Sequence, residues 1–266
     1  MKWMIITLCV LLSAGSMLAG DEIKTREFKY SIGEMRMHGY LAHPSDRTGA
    51  LPGILVVHEW MGLTEHARQS AEKLANMGYV ALAVDMYGEG KVASGTEEAR
   101  KWSGELKAGD REEMRRRIRG ALDAFKALEL TDPERIGAMG YCFGGTVVLE
   151  LARSGADVEG VVSFHGGLDT NRPEDAKNIQ AAVLVLHGGD DPYVPEKDVT
   201  AFKEEMRIGD VDWQFVSFGG AVHSFTNPGA GDDPSRGAAY NERADTRSWK
   251  YMTLFFHEIL KGGDGK

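Results

Sequence analysis

The chain has 266 residues, 42% of them hydrophobic and 27% charged, enough to bury a sizeable core and unlike a fibrous or disordered sequence. Its formal net charge of -9, with the acidic residues scattered, excludes the basic face that a nucleic-acid backbone demands. The one cationic cluster, Arg111 to Arg119, interleaves Arg115, Arg116 and Arg117 with Glu112 and Glu113, which reads as the solvated face of a helix.

The first twenty residues differ in kind from the rest. Lys2 precedes the apolar run Trp3 to Leu12, then small residues around Ala14 to Gly20, then Asp21-Glu22. That layout predicts a secretory signal peptide over residues 1–20, cleaved near Ala19 or Gly20, and a single domain over residues 21–266. The run is short for a bilayer span, so a periplasmic or secreted protein with no membrane contact after signal removal is expected. Cys9 leaves with the signal. Cys142 is then the only cysteine, which forbids an internal disulfide where one would be permitted.

Phe28 to Ile32 and Met37 to His43 read as a hairpin of short strands at a sheet edge, with Gly33 in the connection. Ile54 to Val57 is a continuous apolar run, the mark of a strand buried on both faces. A helix follows: Thr64 suits its N-cap, apolar residues recur at Ala67, Ala71, Leu74 and Met77, and Gly78 ends it. Tyr79 to Val84 is the next strand and Asp85 to Gly95 a loop, with Asp85 tying it down. Helices are predicted over 97–107 and 110–128, a strand over Arg135 to Met139 and a helix over Gly145 to Arg153. Val158 to Phe164 and Ala182 to Leu186 are further strands. A helix over 195–207, the strand Trp213 to Phe218 and a closing helix within 236–260 complete the chain. Strands alternating with helices predict an α/β fold, a mostly parallel twisted sheet covered on both faces.

In such sheets ligands bind beyond the carboxyl ends of the strands. The residues there are His58-Glu59-Trp60, Cys142, Asp190-Asp191 and His223. The stretch "GYCFGG" matches G-x-S-x-G with cysteine for serine, in the strand-turn-helix setting that a nucleophile elbow requires. The turn sets the sulfur at a helix N-terminus, where the dipole and unpaired N–H groups favour thiolate. The order nucleophile, acid, histidine is then met by Cys142, the carboxylates of "HGGDDPYVP" and His223 of "VHSF". No HExxH or paired-cysteine spacing marks a metal site, and no phosphate or dinucleotide fingerprint is present. His58, His165 and His187, which end strands, read as structural hydrogen-bonding residues.

The chain resembles the dienelactone hydrolase family of the α/β-hydrolase superfamily over most of residues 28–260. The motifs that carry the resemblance are "HEWMGL", "DMYGEG", "GYCFGG", "HGGDDPYVP" and "VHSF". It implies an α/β-hydrolase fold, with Cys142 as nucleophile and Asp191 (rather than Asp190) and His223 as its partners. It also implies Glu59 as a further carboxylate near the thiol, and an oxyanion hole from the backbone N–H groups of Phe143 and Trp60. No cofactor and no metal are expected. Dienelactone enzymes proper hold the substrate carboxylate with two arginines, where this chain has Gly88-Glu89-Gly90 and Thr226-Asn227.

The expected substrate is therefore a small neutral ester or lactone rather than dienelactone, walled by Trp60, Tyr87, Phe143 and Phe225. The expected protein is a monomer or small homo-oligomer. Acyl transfer to another nucleophile, and a non-catalytic scaffold on a hydrolase fold, are the alternatives. Glu89→Arg is predicted to shift preference toward acidic esters, read as the ratio of kcat/KM for paired neutral and carboxylated esters; an unchanged ratio would mean that the loop does not face the ligand.

Overall fold

The structure is a computed structural model that describes residues 22–262. The expected signal, residues 1–20, lies outside the described residues.

Strands β1 (Ile23–Ile32) and β2 (Met35–Pro44) form an antiparallel hairpin. β3 (Leu51–Val57), β4 (Val80–Val84), β5 (Thr131–Tyr141), β6 (Gly160–Phe164), β7 (Ala182–Gly188) and β8 (Trp213–Phe218) follow. The sheet order is β1-β2-β4-β3-β5-β6-β7-β8, with β2 antiparallel to β4 and every later pairing parallel. The helices are α1 (Glu65–Asn76), α2 (Thr96–Lys107), α3 (Glu112–Lys126), α4 (Phe143–Arg153), α5 (Glu196–Ile208) and α6 (Glu242–Lys261). This is an α/β fold of the α/β-hydrolase kind.

Period-two alternation along each strand divides the core into two layers. Leu55, Val57, Leu82 and Val84 face the layer that contains Ile118 and Phe125 of α3, Val147 and Leu151 of α4 and Phe202 of α5. Ile54, Val56, Ala81 and Ala83 face the other, with Leu74 of α1 and Met252 and Phe256 of α6. The apolar stripe of α3, Met114, Ile118, Ala121, Leu122 and Phe125, is buried throughout. Asp85 accepts hydrogen bonds from the backbone N–H groups of His38, Tyr87, Gly88 and Gly90, so one carboxylate fixes the whole start of the 85–95 loop. α6 begins at Glu242, later than expected, because the preceding chain forms two proline-initiated 3-10 turns, Pro228–Ala230 and Pro234–Arg236.

Only part of the cationic cluster is the solvated face that its spacing suggests: Arg116 and Arg119 are exposed, whereas Arg111 and Arg115 turn inward. Arg111 and Arg115 are buried together with Arg153 of α4, which is only 1% exposed. All three guanidinium groups converge on the wholly buried Glu150: Arg111 Nη1 at 3.2 Å, Arg115 Nε at 2.8 Å and Arg153 Nη1 at 3.0 Å. Arg153 also grips Glu205 of α5 in a two-pronged pair at 2.7 and 2.8 Å, and Arg115 pairs with Asp175 at 2.6 Å. Arg111 pairs with Asp169. Apart from Arg153–Glu150, three residues apart on α4, the partners lie 35 to 60 residues apart, beyond the reach of any helix-local pattern. Removing one member strands the others in a low-dielectric interior. Glu150→Ala is expected to destabilise the fold by about 3–5 kcal/mol, measured as a shift of the urea midpoint, while the exposed Glu204→Ala leaves the midpoint within about 0.5 kcal/mol.

Candidate active site

The elbow arises from a clash that only glycine avoids. Cys142 joins β5 to α4 with φ +54° and ψ −112°, a conformation that L residues rarely adopt. A Cβ on Gly140 would stand 2.1 Å from the Gly144 carbonyl oxygen, and one on Gly144 would stand 2.3 Å from that of Val57. Any side chain at either place would push strand and helix apart. The Cys142 carbonyl then accepts from Gly145 N–H at 3.0 Å, opening α4, and its own N–H donates to Phe164 O at 3.0 Å. The sulfur is thus held at the positive end of α4.

Register brings the other strand ends alongside. Beyond β7 the chain turns through Asp190 to Asp191, and beyond β8 it reaches His223. His223 Nε2 lies 3.0 Å from Cys142 Sγ, and its Nδ1 lies 2.8 Å from Asp191 Oδ2. The second oxygen of Asp191 accepts Tyr193 N–H at 2.8 Å, so the carboxylate cannot swing away. His223 is itself fixed from both sides: its N–H donates to Gly237 O at 3.2 Å and its carbonyl accepts Ala239 N–H at 3.0 Å. Asp190 is exposed and does not face the imidazole. Burial alone would pull His223 down from its ordinary value of 6.5; the charges of Cys142 and Asp191 outweigh it and push the imidazole up to about 10.

The N–H groups of Trp60 and Phe143 donate to no protein acceptor among the described residues. The Glu59–Trp60 peptide is oriented by His58, whose Nδ1 binds Glu59 O while its Nε2 accepts Met86 N–H at 3.2 Å. That pattern requires a proton on Nδ1 alone, and burial lowers the pKa of His58 accordingly. Tyr87 Oη donates to Trp60 O at 2.7 Å from the other side.

Glu59 is buried and makes no hydrogen bond to Cys142. Asn227 Nδ2 spans both its oxygens at 2.8 and 3.1 Å, and His66 Nδ1 stands 3.5 Å from Oε2. The Asn227 amide cannot flip, because its oxygen accepts Gly229 N–H. Burial pushes the Glu59 carboxyl up, but His66 and Asn227 outweigh it and hold the group below its ordinary value. His66 and Asn227 carry no motif, and sequence reasoning does not single them out as partners of Glu59.

Of the expected walls, Trp60 is half-buried. Phe143 is buried and stacks on His58. Tyr87 is buried except at its rim, against Trp102 and Phe143. Phe225 departs from expectation: it is wholly buried behind His165 and Phe218, so it backs the site rather than lining it. Tyr193, the tyrosine of "HGGDDPYVP" but not among the expected walls, stands 61% exposed with its ring perpendicular to His223 at 5.3 Å. Glu89 faces outward and pairs with Arg36 at 2.7 Å, which keeps its carboxyl below the ordinary value. No group of three or more His, Cys, Asp or Glu side chains is placed to hold a metal ion among the described residues.

Arranged in this way, sulfur and imidazole are within proton-transfer distance of each other. The profile of the dienelactone hydrolase family matches residues 37–260. Among solved structures, m3DLH is 42% identical with a TM-score of 0.86, covering 90% of this chain and 99% of its own. The dienelactone hydrolase-like promiscuous phosphotriesterase P91, from metagenomic libraries, is 40% identical with a TM-score of 0.83 over the same shares. Protein usf of Aquifex pyrophilus is 28% identical over 230 residues, 85% of this chain and 95% of that protein. With the matched profile spanning the sheet from β2 to α6, the chain belongs to the dienelactone hydrolase family and is a hydrolase of ester or lactone bonds.

Proposed function

We propose that this hydrolase cleaves a small neutral carboxylic ester or lactone through a thioester on Cys142. The observation that carries the reading is the unbroken line from Sγ through the His223 ring to Asp191, with contacts of 3.0 and 2.8 Å.

The thiolate attacks the carbonyl carbon, a C–S bond forms and the electron pair moves to oxygen, where the N–H groups of Trp60 and Phe143 receive it. Each such donor is worth about 3–4 kcal/mol of transition-state stabilisation. Collapse breaks the C–O bond, and the His223 Nε2 proton passes to the departing alkoxide. Water then enters and gives a proton back to Nε2, and the resulting hydroxide attacks the thioester. The C–S bond breaks, leaving the acid product and a thiolate beside a protonated imidazole. Asp191 keeps the ring in the orientation that faces the sulfur and stabilises its charge.

Two features support a neutral substrate. Asn227 stands where the dienelactone enzymes carry an arginine and is committed to Glu59. Glu89, at the other arginine position, is paired with Arg36 and offers no cation to a substrate carboxylate. The likeness to P91 supports adding a neutral phosphotriester to the substrate panel, since the same thiolate and amide donors suit attack at phosphorus. The leader-like residues 1–20 support export to the periplasm or beyond, tested by the N-terminal sequence of protein recovered from each fraction.

Cys142→Ala is expected to abolish turnover of short acyl esters and lactones, and His223→Ala to lower it by about 10³-fold or more. In a thiol-selective acylation assay the wild type labels stoichiometrically at Cys142. Absence of label would favour a non-catalytic scaffold, and product partition toward an added alcohol or amine would favour acyl transfer.

The His223 ring, followed by NMR, should titrate near 10 and fall toward 6.5 in Cys142→Ser, where the hydroxyl stays neutral. Because the folded value is raised, this group stabilises the fold fully below about pH 6.5, and its contribution fades as pH rises through about 10. A ring that titrates near 6.5 in both proteins would overturn the ion-pair account.

A further inference from the structure

The proposed chemistry leaves one wholly buried imidazole, His165, without a part. It follows β6 directly, with φ +38°, and its N–H donates to Leu186 O at 2.9 Å. Its Nδ1 accepts a second, shared hydrogen bond from Cys142 N–H at 3.2 Å, so that nitrogen carries no proton. The ring proton then sits on Nε2 and is donated to Thr226 Oγ1 at 2.8 Å. Thr226 lies between His223 and Asn227, in the segment that supplies the base and the clamp on Glu59. One imidazole therefore spans the backbone of the nucleophile and the loop of its base.

Both bonds require the neutral ring, because a proton on Nδ1 would set N–H against N–H. Burial holds its pKa well below the ordinary value, and the positive charges of His223, His66 and, more weakly, His187 act in the same direction. The His223 ring meets it edge-on, at 5.3 Å between centroids and 64° between planes. Ser224 beside His223 has φ +57°, so left-handed residues flank the site on all three segments: Cys142, His165 and Ser224. Backbone held in that region costs about 1–3 kcal/mol per residue and persists only where its surroundings over-determine it.

We propose that His165 is a positioning residue: its bridge from Cys142 N–H to the Thr226 hydroxyl holds the two halves of the site at the 3.0 Å separation of sulfur and imidazole. The inference rests on Cys142 being the nucleophile. The Cys142 N–H keeps its bond to Phe164 O if His165 is lost, so no buried donor is orphaned there. The effect falls on geometry, where a displacement of about 1 Å can cost about 100-fold in rate.

The test is single-turnover acylation by a p-nitrophenyl ester, with a urea midpoint recorded for each variant. Thr226→Val should lower the acylation rate about 10- to 100-fold with KM little changed, and Thr226→Ser should restore it. His165→Phe removes both bonds and keeps a ring, and adding Thr226→Val to it should cost nothing more. If His165→Phe does not fold, the two Thr226 variants decide the matter. A folded Thr226→Val that acylates at the wild-type rate, or additive losses in the double variant, would overturn the bridge. Turnover that survives Cys142→Ala overturns the nucleophile and the bridge together; turnover lost in Cys142→Ala but intact in Thr226→Val overturns the bridge alone.

Discussion

The strand-to-helix turn at Cys142 is the constraint on which the rest of the molecule depends. Its left-handed backbone exists because Gly140 and Gly144 let β5, α4 and the end of β3 approach to distances that no Cβ tolerates. From that turn follow the exposure of the sulfur, its place at a helix N-terminus and the free amide of Phe143. The parallel register of β5 through β8 then fixes which other residues can reach it, because their carboxyl ends lie side by side.

Around this point the structure uses backbone hydrogen bonds more than side-chain charge. His58 sets one peptide and His165 touches another, each as a neutral ring with a defined proton. Side-chain charge gathers chiefly in two places. At the sheet edge of the site, sulfur, imidazole and Asp191 share it in a line. Behind α4, three arginines and their acids neutralise one another away from water.

Much of this is legible in the sequence, for reasons that differ from residue to residue. The sheet and helices follow from apolar periodicity, and β3 and β4 announce themselves as unbroken runs of Val, Leu, Ile and Ala. The elbow is readable because its glycine spacing answers a local steric need. Partnerships across long stretches of chain leave no such trace. Nothing within α3 tells that Arg115 meets Glu150 rather than water. Nothing in "HEWMG" tells that Asn227 and His66, rather than the thiol, hold Glu59. Phe225 looks like a wall because it lies two residues from His223, yet the turn at Ser224, with φ +57°, sends it inward. The delayed start of α6 reflects proline and Asx chemistry that a broad periodicity window averages away.

The complete burial of α4 has a consequence for how such a protein diversifies. Every residue from Phe143 to Arg153 is enclosed, and the helix is riveted to α3 and α5 through Glu150 and Arg153. Drift or engineering at Cys142 must therefore contend with the interior of the whole domain. The outer loops carrying Glu89, Val92 and Tyr193 are open to solvent and bound by few side-chain contacts. Substitutions there carry little penalty to folding, so the elbow is the fixed part of this architecture and the rim its adjustable part.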